Sequence, residues 1–119
     1  MKVILINPNS AKAMTLSSIE TAQKVAPEIH FEGWTSFDGP SSIQGPEDGD
    51  YATKPLLELI KKANKEKPSG IIISCFDDTG LQQAREISLC PVLGIGEASF
   101  IFSNLHAGQT AIITTVYEA

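Results

Sequence analysis

The side chains best suited to chemistry in this sequence are its two cysteines, Cys75 and Cys90, and the polar groups around the first. Cys75 stands in Ser74-Cys75-Phe76-Asp77-Asp78-Thr79-Gly80, at the end of Gly70 to Cys75, whose Ile71, Ile72 and Ile73 make it the best central-strand signal in the chain. Gly80 to Ile87 then reads as a short helix. A thiol between a buried strand and a helix N-terminus meets free N–H groups and a dipole that favour the thiolate, the form that acts as base or nucleophile. Asp77 and Asp78 work the other way, because negative charge disfavours a second anion. They are suited instead to capping the helix or accepting a ligand N–H. A buried, inert cysteine is the other reading of Cys75, and this segment alone is compatible with both.

Cys90 precedes Pro91 at the amino end of the next strand, on the opposite rim. A strand of about five residues spans roughly 17 Å. Disulfide Cα atoms lie within about 7 Å of each other. The two cysteines should therefore neither bond nor act on one substrate, which leaves Cys90 a structural role. Other constellations are weaker. Gly94-Ile95-Gly96-Glu97-Ala98-Ser99 echoes a dinucleotide fingerprint but lacks the last glycine and follows a late strand. His30 and His106 lie near no acidic cluster, so no metal site is expected. A phosphate-receiver domain would want carboxylates after the first strand and a lysine after the last; Asn7-Pro8-Asn9 and Thr114-Thr115 stand there instead.

The elements that must position Cys75 follow from hydrophobic pattern. Val3 to Ile6 is a continuous apolar run, the mark of a strand buried on both faces. Asn9 or Ser10 can cap the next helix, whose face reads Met14, Ser18, Ala22 and Val25, with Pro27 closing it. Ile29 to Thr35 alternates like an edge strand. Ser36 to Asp50 is rich in Gly, Pro, Ser and Asp and reads as a long, mobile loop. The next helix carries Ala52, Leu56, Leu59, Ile60 and Ala63 at helical spacing, and Pro55 is tolerable only if the regular helix begins near it. Further strands are expected at Pro91–Ile95 and Ala111–Ile113, with a helix over Glu97–Leu105 between them.

Strand and helix thus alternate through the chain. The expected fold is a three-layer α/β domain over residues 1–119, with a flavodoxin-like, doubly wound parallel sheet of five strands in the order 2-1-3-4-5. In such a sheet ligands bind beyond the carboxyl ends of the strands. Here those ends carry Asn7-Pro8-Asn9-Ser10, Gly39-Pro40-Ser41-Ser42, the Cys75 segment, Gly94 to Ser99, and Thr114-Thr115. Any one of these could be ordinary turn chemistry, but five on one rim point to a small-molecule site.

The 119-residue length, 42% apolar and 19% charged composition exclude disorder, collagen and coiled coil. A net charge of -5 with no basic stripe argues against a nucleic-acid partner. No apolar run suits a membrane span, and the first apolar stretch is too short for a secretory signal. Two cysteines build no disulfide framework, so a reducing, cytoplasmic setting is expected.

Four segments occur together in order: Ile6-Asn7-Pro8-Asn9-Ser10 with Met14-Thr15; Gly39-Pro40-Ser41-Ser42-Ile43-Gln44-Gly45; Cys75-Phe76-Asp77-Asp78-Thr79-Gly80-Leu81; and Pro91-Val92-Leu93-Gly94-Ile95-Gly96-Glu97-Ala98. With them the chain resembles the Asp/Glu/hydantoin racemase superfamily, most of all its hydantoin and allantoin racemase branch, from Met1 to Thr115. Thr79 departs from the pattern, since many relatives have proline there.

The resemblance implies a cofactor-independent, metal-free racemase of hydantoins, allantoin or related amino-acid derivatives. One thiolate removes the proton at the stereocentre, and a second thiol returns one to the opposite face. Cys75 matches the first cysteine. Asn9, Thr114 and Thr115 would help hold the substrate, beside the rim residues Asn7, Ser10, Phe76, Asp77 and Asp78. Family members carry a second, similar α/β half that faces the first across the site and holds the second cysteine. The chain thus reads as an N-terminal half, a truncated product or an isolated domain, that self-associates or binds a complementary half. The expected partner is a small molecule: a hydantoin, a ureide or an acidic amino acid. Alternatives are a non-catalytic binding module, a racemase of free Asp/Glu-type amino acids, and an enzyme using Cys75 alone as nucleophile. The last would need a histidine base that the sequence does not place nearby.

Overall fold

Residues 1–106 and 108–113 are described by the structure, a computed structural model. The elements run β1 (Lys2–Asn7), α1 (Lys12–Val25), β2 (His30–Thr35), α2 (Pro46–Glu66), β3 (Gly70–Ile73), α3 (Leu81–Ile87), β4 (Val92–Gly94) and α4 (Ile95–Leu105). The strands pair in parallel in the order β2-β1-β3-β4. This is the expected α/β order as far as it extends. The expected fifth strand is absent among the described residues. Residues 111–113 have no sheet partner there, and Ile113 is 95% exposed, so nothing rewards their extension.

The two faces of the sheet are covered unequally. On one, alternate residues Ile4, Ile6, Ile71, Ile73 and Val92 join Leu56, Ile60 and Ala63 of α2 and Leu81 and Ala84 of α3 in one buried core. On the other, α1 packs over β1 and β2. Gly33 permits that approach: a Cβ there would stand 2.7 Å from Ile19 Cγ1 and 3.0 Å from Thr15 Cγ2. Away from α1 the cover thins. Leu5, Ile72 and Leu93 sit in register across three strands. Their exposure rises from 4% at Leu5, through a half-buried Ile72, to 53% at Leu93.

Three local readings need correction. The buried residue of α1 is Thr15, whereas Met14 and Val25 are exposed. The helix begins at Lys12, which turns Thr15 and Ile19 toward the sheet. Residues 46–50 are helix rather than loop: α2 starts at Pro46, directly after Gly45, with Glu47 and Asp48 in its first turn. Proline at N1 and early carboxylates both favour a helix start. Pro55 therefore lies inside the helix, where the carbonyl of Tyr51 loses its usual donor.

The unequal cover makes a direct prediction. Leu56→Ala should cost about 2–5 kcal/mol by urea unfolding, as buried leucine truncations do. In the monomer, at concentrations where sedimentation shows no association, Leu93→Ala should stay within about 0.5 kcal/mol, as exposed positions do. Similar losses at both would mean that the β4 face is covered.

Candidate active site at the carboxyl edge of the sheet

Polar groups at the ends of β1, β2 and β3 satisfy one another along one rim. Asn7 is 1% exposed, and its Nδ2 donates to Asn9 Oδ1 at 2.8 Å, to the Ala11 carbonyl at 3.1 Å and to Thr15 Oγ1 at 3.2 Å. Its Oδ1 accepts the Asn9 N–H. Thr15 continues the chain of bonds to Thr35 at the end of β2, with 2.7 Å between hydroxyls. Asn9 Oδ1 also accepts the Ala11 N–H, the residue that precedes α1. The expected cap by Asn9 or Ser10 is not formed: the N-cap residue is Ala11, and no side chain caps the first turn of α1. Among the described residues Asn9 Nδ2 meets only the Met14 sulfur, at 3.5 Å, which is a weak acceptor. Of this cluster it is the amide donor with most capacity left for a ligand.

Ser10 lies a residue further along. Its N–H and hydroxyl both point at the Pro40 carbonyl, tying the β1 loop to the segment after β2. Ser74 Oγ and Ser18 Oγ are 2.9 Å apart, anchoring the end of β3 to α1. Asn7, Asn9 and Ser10 are therefore largely occupied in building the rim.

Cys75 follows β3 in a turn and is half-buried, with Sγ 3.5 Å from Thr79 Oγ1. The helix expected from Gly80 to Ile87 runs from Leu81 to Ile87 with Gly80 as N-cap, and has seven residues. Phe76 to Gly80 intervene because Asp78 N–H closes a turn on the Cys75 carbonyl at 3.0 Å. Cys75 thus does not stand at the start of α3. Phe76 and Asp77 are exposed. Asp77, Asp78, Thr79 and Gly80 line one wall of a cleft of about 390 Å³, with Gly45, Pro46, Gly49 and Thr53 of the α2 start opposite. Cys75 does not line it; Thr79 touches both the cleft and the thiol.

Asp78 caps a helix, but not the one that follows it. Its Oδ1 accepts the Gly96 N–H at 3.0 Å and its Oδ2 the Glu97 N–H at 2.5 Å, both in the first turn of α4. Arg85 and Glu97, which sequence reasoning left aside, complete this corner. Arg85 Nε donates to the Val92 carbonyl at 3.1 Å, and its terminal nitrogens pair with both oxygens of Glu97. Pairing of an arginine with an acid across two elements leaves no local pattern in sequence.

Cys90 sits at the opposite edge, before β4, with Ser88 Oγ 3.6 Å from its sulfur. Both cysteines are free. His106 Nδ1 lies 3.0 Å from the Phe102 carbonyl. No helix among the described residues is long and apolar enough to cross a membrane. Thr114 and Thr115 lie outside the described residues.

The family model described as Asp/Glu/Hydantoin racemase matches residues 3–119. A hydantoin racemase of Paenarthrobacter aurescens is 34% identical over 116 residues, covering 96% of this chain and 49% of that protein. The allantoin racemase from Klebsiella pneumoniae superposes with a TM-score of 0.81 at 33% identity, over 88% of this chain and 43% of its own. Allantoin racemase from Pseudomonas fluorescens gives a TM-score of 0.91 at 21% identity, which speaks for the fold alone. The chain spans about half the length of the curated relatives it matches.

The Arg85 guanidinium holds the Glu97 carboxyl below its ordinary range. A carboxyl depressed in the folded state contributes stability above its unfolded pKa, and that contribution is lost as pH falls through the folded value. The melting temperature should therefore drop on acidification below about pH 4, the ordinary glutamate range. In Glu97→Gln that acid limb should be shallower. An unchanged limb would show that the pair contributes nothing measurable.

Proposed function

Since the chain belongs to the Asp/Glu/hydantoin racemase family, we propose that it forms one half of a cofactor-independent racemase site, with Cys75 as its proton-transferring thiol. The observation that carries this is the place of Cys75: a free, half-buried thiol in the turn after the central strand β3, on the rim where Asn7 and Asn9 gather. Hydantoins and ureides of the allantoin type are the proposed substrates, in keeping with the relatives' names. Asn9 Nδ2, with only a sulfur partner, is the proposed donor to a substrate carbonyl. Exposed Phe76 and Asp77 flank the thiol and Ser10 closes the rim beside Asn9; Thr114 and Thr115 complete the proposed substrate contacts.

The Cys75 thiolate takes the proton from the stereocentre, leaving the C–H electron pair in an enolate conjugated with the adjacent carbonyl. A second acid on the other face gives its proton to that carbon. The product is the mirror-image substrate, with one thiol and one conjugate base exchanged, ready for the reverse direction. A single base tends to return the proton to the face it came from. Cys90 stands on the far edge and is no candidate for the second group.

That group therefore comes from another α/β half facing this rim. The half-length match to the relatives supports this. So does the apolar surface of Leu93, Phe100, Ile101 and Phe102, exposed by 53%, 46%, 57% and 63%. Surfaces of this kind usually find a partner. When these 119 residues are tested alone, a second copy is the partner at hand.

Optical rotation should be followed with hydantoins, allantoin and acidic amino acids, beside sedimentation of the protein. The account predicts no inversion by a monomer, self-association through the apolar surface, and loss of any activity of the associated form in Cys75→Ser but not Cys90→Ser. Full turnover by a monomer, or by Cys75→Ser, would overturn it. Binding of these compounds without any turnover by an associated form would favour a non-catalytic module.

A further inference from the structure

The first N–H groups of any helix lack partners within it. In α4 the N-cap residue, Gly94, has no side chain to supply one, and the acceptor is the Asp78 carboxylate, 18 and 19 residues away in sequence. The glycines make room for it. A Cβ on Gly94 would collide with the Asp78 carboxylate, and one on Gly96 with the Phe76 carbonyl oxygen. The Phe76 ring also packs on Phe100 of α4, with centroids 5.6 Å apart. The Asp78 backbone adopts the left-handed region, φ 51°, and closes the turn on the Cys75 carbonyl. One residue thus shapes the cysteine turn with its backbone and fastens it to α4 with its side chain.

We infer that Asp78 is the positioning residue for Cys75, holding its turn against the first turn of α4. Both carboxylate oxygens are engaged in that task, so Asp78 acts through Cys75 rather than on substrate. Arg85 stiffens the same platform from α3 by holding Glu97 and the Val92 carbonyl. The inference rests on the reading of Cys75 as the reactive thiol, and its test separates the two.

The intact chain is alkylated with iodoacetamide from neutral to mildly alkaline pH, and the rates at Cys75 and Cys90 are resolved by peptide mapping. Asp78→Ala frees the turn from α4, so the half-buried Cys75 should react about tenfold faster, the factor that losing a charge-assisted hydrogen bond gives a local opening equilibrium. Asp78→Asn keeps one acceptor and should give a smaller rise. Gly96→Ala keeps the carboxylate but pushes the Phe76 carbonyl away, and should raise the Cys75 rate as well. Cys90 should be unchanged throughout.

Loss of the Asp78 charge by itself favours the thiolate, so Gly96→Ala, which keeps that charge, is decisive: the inference is overturned if Gly96→Ala leaves the Cys75 rate as it is, or if both cysteines accelerate together, since general loosening would then be the cause. Should Asp78→Ala fail to fold, Gly96→Ala still decides. A wild-type Cys75 slower than Cys90 would contradict the functional reading, while the ratio of variant to wild type would still judge the clamp.

Discussion

Parallel pairing forces every strand to end on the same rim, and the polar groups collected there must satisfy one another or a ligand. Most of what surrounds Cys75 follows from that requirement. Asn7 is buried at the end of β1 and survives burial because its amide meets Asn9, Ala11 and Thr15. Thr15 carries the network to Thr35, and Ser18 meets Ser74 on the neighbouring strand. An unpaired buried amide would cost about 1–3 kcal/mol, so these partners are conditions of the fold as well as of the site. What the rim leaves over among the described residues, the thiol, the Asn9 amide nitrogen and the buried Ser36 Oγ without a partner, is what it can offer to a substrate.

The same economy connects α4 to the cysteine turn. Its glycines superficially resemble a nucleotide fingerprint, yet they serve a carboxylate of the protein itself: Gly94 and Gly96 admit Asp78 and the Phe76 carbonyl. The helix start that would otherwise attract an external anion is occupied from within. On the other side of the sheet, cover declines from Leu5 to Leu93. The molecule is closed around its α2–α3 core and open beside β4, where a second α/β half is proposed to lie.

The parallel α/β order was legible because the inner strands are short apolar runs bounded by turn residues, as in Val3–Ile6 and Ile71–Ile73, and the edge strand β2 alternates. The rim was legible for the same reason, since topology alone fixes where strand ends go. The start of α2 was obscured by Gly49 and Pro55, although Pro46, Glu47 and Asp48 carry helix-start chemistry. The face of α1 was misjudged because the apolar Met14 outweighed Thr15, whose burial depends on a hydroxyl partner in another strand. Asp78 was legible as a cap, but the identity of the capped helix depends on a contact across the fold. Ala111 to Ile113 have strand-like composition without a described partner, and composition cannot supply one.

Two bases on opposite faces are the core of the proposed chemistry, and separating proton removal from inversion addresses it most directly. The chain is incubated with an optically pure hydantoin in deuterium oxide under conditions where sedimentation shows a monomer. Deuterium at the stereocentre is followed by proton NMR, and configuration by optical rotation. Deuterium should enter while rotation persists, and Cys75→Ala should abolish its entry. Inversion keeping pace with deuterium entry in the monomer, or entry unaffected by Cys75→Ala, would contradict the account.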